Sequence, residues 1–250
     1  MCGTCGCGEA DVRIDALGGD HRHEHPHAHD PVPGVVEIET ALLAKNDHLA
    51  EHNRRWLTER GITALNLMSS PGSGKTSLLR RTITDLAASR PVAVIEGDQE
   101  TRIDAEKIRS TGAPVVQINT GAGCHLDADM LARGLAELRP PPGSLVFVEN
   151  VGNLVCPALF DLGEAARVVV LSVTEGEDKP LKYPQMFSVA DLVVINKIDL
   201  LPYVDVRLDS LTEHCRSVRP GVQVLPLSVT SGEGMAAWRD WLLTREPATA

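Results

Sequence analysis

Residues 69–76 read SSPGSGKT, which sets a lysine and a threonine directly behind a glycine. This is the chemistry of a phosphate cradle. Gly72 and Gly74 let the backbone fold tightly and turn its N–H groups inward. Those donors, with a helix N-terminus behind them, hold phosphate oxygens. Lys75 would reach the β- and γ-phosphates and the Thr76 hydroxyl would bind Mg2+, with Ser73 and Ser77 flanking them. The usual pattern opens with glycine, and here Ser69 stands in that place.

A base reader follows downstream in NKID, residues 196–199. Asp199 can accept hydrogen bonds from guanine N1–H and the N2 amino group, which adenine does not present in that arrangement. A buried carboxylate left unpaired rejects the wrong base strongly. Asn196 would contact the other edge and the Lys197 stem would lie over the ring. Ser228, Val229 and Thr230, after the next apolar run, would form a second base-side loop. The expected nucleotide is therefore GTP rather than ATP. Asp98, in EGDQETRIDA, and Glu149, in FVENVGN, should lie on the same rim as the phosphates, because parallel strands end on one edge. They suit Mg2+ and its waters: Asp98 directly, Glu149 through water, with Asp104 a second candidate. Lys75, Thr76, Asp98 and Glu149 form the expected catalytic set. Gly152 would offer its N–H to a γ-phosphate and so sense hydrolysis.

A second chemistry sits beside the first. Cys124 and His125 lie in GAGCHLDAD, and Cys156 ends the run ENVGNLVC. Two thiolates and an imidazole make a three-ligand site for Zn2+ or Ni2+, with water or a second subunit in the fourth position. The competing reading is that cysteines pack as small apolar residues. Cys215, alone in a helical stretch, is read in that way. The chain also opens MCGTCGC. Cys2, Cys5 and Cys7 can wrap one ion, and loss of Met1 would add the Cys2 amine, an N/S set that suits square-planar Ni2+. His21, His23, His25, His27 and His29 alternate with other residues and would capture late transition metals with modest affinity.

These residues need elements to position them. Residues 1–34 are rich in Gly, His, Pro and Asp and read as a flexible metal-binding tail. Residues 35–61 read as a helix, with Leu42, Leu43, Leu49 and Trp56 at roughly helical spacing. From 62 to 247, the apolar runs ALNLMSS, PVAVIEG, APVVQINT, SLVFVEN, RVVVLSVT, LVVINKID and VQVLPLSV alternate with helical stretches. Near-continuous Val/Ile/Leu runs are strands buried on both faces. The fold class is thus α/β, a three-layer P-loop GTPase domain with a mostly parallel, seven-stranded sheet.

The 250 residues carry a net charge of −10 and 3% aromatics, which disfavours nucleic acid as a partner. No apolar run reaches the roughly 18 residues of a membrane span, and no signal peptide opens the chain, so a cytoplasmic location is expected. The six cysteines should stay reduced there.

Taken together, SSPGSGKT, GAGCHLDAD, ENVGNLVCP and NKID strongly resemble the HypB family of hydrogenase maturation GTPases, the nickel-incorporation accessory proteins. The resemblance covers most of residues 36–245 and extends to CGTCGC. It implies a nickel-inserting GTPase, a homodimer with nucleotide between subunits, and a metal site at Cys124, His125 and Cys156; turnover should be slow, because no arginine finger is evident. It further implies a tighter nickel site at Cys2, Cys5 and Cys7, a partner nickel metallochaperone, and the hydrogenase large-subunit precursor as the client. Three alternatives remain at this point: a urease-type nickel GTPase, a nickel buffer with a regulatory nucleotide site, and a cobalamin-linked GTPase, the last leaving the cysteine-rich start unexplained.

Overall fold

The protein is described by a computed structural model covering residues 33–99, 103–121 and 123–248. The Cys2–Cys5–Cys7 and His21–His29 expectations lie outside the described residues. The described part of the chain divides after Ala44 into two units. Helix α1, Pro33–Glu59, begins in the first and continues into the second.

Seven strands form one sheet: β1 (Thr63–Met68), β2 (Val92–Asp98), β3 (Val115–Asn119), β4 (Leu145–Glu149), β5 (Ala166–Ser172), β6 (Leu192–Asn196) and β7 (Gln223–Pro226). Each expected apolar run became one of them. The order is β3-β2-β4-β1-β5-β6-β7 and every pairing is parallel. The sheet carries helices α2 (Lys75–Leu86), α3 (Ile103–Arg109), α4 (Ala128–Leu138), α5 (Lys179–Lys182), α6 (Pro184–Ser188), α7 (Leu208–Val218) and α8 (Met235–Leu243). Because side chains alternate across a strand, Val168 and Val170 of β5 join one apolar layer with Leu78, Leu79, Trp238 and Trp241. Val169 and Leu171 join the opposite layer with Met186, Phe187 and Leu211. Ala64, Val146 and Val148 pack against Leu57 of α1 and Leu131 and Leu135 of α4. Among the described residues, no helix is long and apolar enough to cross a membrane.

The strand exits matter for the site. Register sets Glu96 of β2 opposite Glu149 of β4, and Ser172 of β5 opposite Asn196 of β6. Both pairs therefore stand at the carboxyl edge of the sheet, where the phosphate loop also leaves β1.

Helix α1 departs from its expected face. Leu42 is 42% exposed, whereas Asn46, Ala50, Asn53 and Leu57 are buried. The inward stripe is thus half polar, and a search for apolar periodicity misses it. The two asparagines are satisfied by backbone. Asn46 Nδ2 donates to Asp161 O (2.8 Å) and its Oδ1 accepts from Ala128 N–H (2.9 Å). Asn53 Nδ2 donates to Ala128 O (2.8 Å) and Leu162 O (3.0 Å). Both clamp the start of α4, directly behind the Cys124–His125 loop. Asn53→Ala leaves Leu162 O without its side-chain donor, a loss worth about 1–3 kcal/mol, while Ala128 O keeps its bond within α4. Thermal unfolding should fall by roughly 2–12 °C, at the roughly 2–4 °C per kcal/mol typical of a domain this size. An unchanged midpoint would show that water replaces the amide.

Candidate functional site

Between β1 and α2, residues 71–74 wrap a concavity of about 490 Å³. It is closed by Glu96–Gln99, Asp104, Lys107, Glu149–Gly152 and Lys197, and Ser73, Lys75, Thr76 and Ser77 line its floor. Gly74 sits at φ 99°, and a Cβ there would come within 2.5 Å of Asn196 Nδ2. Only glycine fits. The loop is pinned from the base-reading strand: Asn196 Nδ2 donates to Ser73 O (2.9 Å) and Lys197 Nζ to Gly72 O (2.8 Å). Ser69, the departure from the usual pattern, accepts from Lys75 Nζ at 2.6 Å and donates to Ser70 O. Its hydroxyl thus parks the lysine that a phosphate would claim. Burial lowers the Lys75 pKa, opposed by the charges of Glu149, Asp104, Glu175 and Glu96. The Ser70 hydroxyl donates in turn to the Glu175 carboxylate, a further loop anchor that no sequence signal marked.

The Thr76 hydroxyl donates to Glu149 Oε1 at 2.8 Å. Glu149 Oε2 is buried without a hydrogen-bond partner among the described residues, as is Glu96 Oε2. Burial raises both carboxyl pKa values, that of Glu96 to about 8, with the Glu149, Asp98 and Asp104 charges adding to the effect. Orphaned buried oxygens beside a threonine hydroxyl form a donor set that fits Mg2+, which takes oxygen ligands and keeps several waters. Asp98 lines the same cavity, and its Oδ1 accepts from Gln99 N–H at 2.6 Å. Sequence reading passed over Glu96; its one signal was a lone carboxylate inside the apolar run VAVIEG.

At the base end, Lys197 adopts φ 63° and its N–H donates to Asn196 Oδ1 (2.8 Å), turning the chain so that Asp199 follows in a short 3-10 helix, Ile198–Tyr203. Asp199 Oδ1 is buried and has no hydrogen-bond partner among the described residues. It is an acceptor for which the described residues supply no donor. Leu227 N–H donates to Ile195 O (2.8 Å) and Ile198 N–H to Leu227 O (3.3 Å), which brings Ser228, Val229 and Thr230 alongside. Ser228 is buried, Val229 packs on the core and Thr230 is exposed.

The ligand atoms of Cys124, His125 and Cys156 all lie within 4.8 Å of one another. Cys124 Sγ is 3.8 Å from His125 Nδ1, and the imidazole stacks on Phe160 with centroids 4.0 Å apart. Burial lowers the His125 pKa, partly offset by Asp127, so the neutral, ligating form is favoured. Cys215 lies buried in α7, its thiol pushed up to about 12 by desolvation, and is chemically inert.

Hydrogen bonds join the two sites. Asn150 Oδ1 accepts from Leu126 N–H (3.1 Å) and Val151 N–H (3.0 Å), and Asn153 Nδ2 donates to Cys124 O (3.3 Å). Gln99 Nε2 donates to Gly123 O (3.3 Å). Gly152, between those asparagines, is so close to the phosphate loop that a Cβ there would lie 3.1 Å from the Pro71 ring.

A GKT cradle on β1, a base reader on β6 and this strand order define a P-loop nucleotide-binding domain of the GTPase type. The cobW family, CobW/HypB/UreG nucleotide-binding domain, matches residues 63–226. The hydrogenase maturation factor HypB of Azotobacter vinelandii is 49% identical over 278 aligned positions, covering 97% of this chain and 91% of that protein. The crystal structure of the Archaeoglobus fulgidus hydrogenase maturation factor HypB is similar at TM-score 0.75 and 40% identity, covering 80% of this chain and 98% of that one. The structure of Helicobacter pylori HypB in complex with nickel is similar at TM-score 0.74 and 37% identity, covering 80% and 94%. The chain belongs to the HypB family of hydrogenase maturation factors.

The raised Glu96 pKa carries a pH signature in protein free of nucleotide and metal. The folded value, about 8, exceeds the ordinary 4.5, so the folded state binds the extra proton between them. That contribution to stability is fully present below about pH 4.5 and is lost as pH rises through about 8. Denaturant unfolding of the chain and of Glu96→Gln, compared from about pH 5 to about pH 9, should show the parent losing stability relative to the variant as pH rises. Parallel profiles would mean that Glu96 titrates normally.

Proposed function

We propose that the protein is a GTP-hydrolysing metallochaperone that binds nickel and assists its insertion into the precursor of a [NiFe]-hydrogenase. The observation that carries this reading is the shared segment 149–156. One end, Glu149, hydrogen-bonds the Thr76 hydroxyl, and the other, Cys156, belongs to a cluster with the donor chemistry of a nickel or zinc site. Membership of a hydrogenase maturation family, and a nickel complex of the Helicobacter pylori relative, support nickel as the cargo.

In this reading the loop N–H groups and Lys75 bind the phosphates, Lys75 leaving its Ser69 partner to do so. Thr76, Asp98 and, through water, Glu149 would hold Mg2+, which would offset the charge that builds on the phosphates during transfer. Asn196, Lys197 and Asp199 select guanine, with Ser228, Val229 and Thr230 at the second edge of the base. Gly152 offers its N–H to the γ-phosphate. Loss of that phosphate releases Gly152, and the movement reaches Cys124 through Asn153 and reaches Cys156 along the chain. Turnover without a partner is slow, because no arginine among the described residues lines the phosphate cavity. Cys124, His125 and Cys156 carry nickel, and Zn2+ competes for the same ligands.

Cys2, Cys5 and Cys7 form a tighter nickel site, and His21, His23, His25, His27 and His29 capture ions locally. The working form is a nucleotide- and metal-linked homodimer in the cytoplasm. It exchanges nickel with a partner metallochaperone and acts on the hydrogenase large-subunit precursor. Neither nucleic acid nor membrane enters the cycle.

The test is a host lacking its own maturation GTPase, supplied with the full chain or with Lys75→Ala. Nickel-dependent hydrogenase activity should fall at least about tenfold in the variant, a loss of about 1.4 kcal/mol or more in effective delivery. Activity that survives would favour a nickel buffer whose nucleotide site is dispensable.

A further inference from the structure

Helix α1 carries an imidazole pair that the sites above do not use. His48 and His52 stand four residues apart, so one helical turn brings them to the same face. Both are exposed. The rings meet edge to face with centroids 4.7 Å apart, and the two Nε2 atoms are 3.3 Å from one another. Their orientation is fixed from behind. Asn46 and Asn53, two residues before His48 and one after His52, are buried and bonded to the backbone at Ala128, so the helix cannot roll.

The separation of the nitrogens is informative. Two imidazole nitrogens on one tetrahedral ion, each about 2.0–2.1 Å from it, lie about 3.3 Å apart. Octahedral angles with similar bonds would need about 3.0 Å. The alternative explanation is a hydrogen bond between two neutral rings, but on an exposed surface water competes for both nitrogens and the net gain is small. Beside the pair, His52 edges a cleft of about 350 Å³ between α1 and α4 that also holds Trp56, Glu59 and Leu135. It leaves room for the remaining ligands.

We propose that His48 and His52 form a surface site for a divalent late transition metal, with tetrahedral Zn2+ the closest geometric match and water completing the shell. The site requires only two convergent imidazoles, and it stands whether or not nickel is the cargo of the Cys124–His125–Cys156 cluster.

The experiment is a zinc titration of the full chain with 15N-labelled histidine, begun once the thiolate sites are saturated, following the Nε2 resonances. Those of His48 and His52 should move together in one transition. His52→Ala should raise the zinc needed to shift His48 by at least about tenfold, because one imidazole cannot chelate. Rings that respond at separate zinc concentrations, a His48 response unchanged by His52→Ala, or no response below about 1 mM zinc would each overturn the site.

Discussion

The amide of Asn150 is the interaction on which the arrangement depends. It is 1% exposed, accepts backbone N–H groups from Leu126 and Val151, and donates to Asn66 Oδ1 at 3.2 Å. One side chain thus joins the loop bearing Cys124 and His125, the segment bearing Gly152 and Cys156, and the central strand that launches the phosphate loop. In a buried setting these bonds have no ready substitute, since each donor left unpaired costs about 1–3 kcal/mol. A displacement at Gly152 must therefore either move the metal loop or break buried hydrogen bonds.

Electrostatics explains why nucleotide and cation belong together. Glu96, Asp98, Asp104 and Glu149 face the same cavity as Lys75, Lys107 and Lys197. A triphosphate brings several further negative charges into a site where buried acids already crowd one another. Burial forces a proton onto Glu96 and weakens the hold of Lys75 on its own. A divalent cation entering with the phosphates would reverse that balance, because the largest local charge would then set the protonation of its neighbours. The hydrogen bond from Thr76 to Glu149 keeps two oxygens of the site in place until then.

Much of this was legible in the sequence, for definite reasons. Strands buried on both faces must be runs of Val, Ile and Leu, so all seven could be read. GKT and NKID announce themselves because phosphate and guanine leave few chemical choices. Cys124, His125 and Cys156 could be paired across distant positions because they follow the runs APVVQINT and SLVFVEN, whose ends share one edge of a parallel sheet. Other features had no one-dimensional trace. The buried face of α1 is written half in asparagine, so apolar periodicity pointed to Leu42 instead. Glu96 gains its meaning from the register that sets it opposite Glu149. The bond from Ser69 to Lys75 depends on side-chain direction, which no motif encodes.

The central claim is that the nucleotide state sets metal affinity at Cys124, His125 and Cys156. The most direct measurement is anaerobic nickel binding to a chain with Cys2, Cys5 and Cys7 replaced by serine, followed by thiolate-to-nickel absorption, once with GDP and once with a non-hydrolysable GTP analogue. The account predicts dissociation constants that differ by about tenfold or more, a coupling of about 1.4 kcal/mol that nickel must return as an equal change in nucleotide affinity. Identical constants in the two states would contradict it, leaving the hydrogen bonds from Asn150 and Asn153 as scaffolding alone.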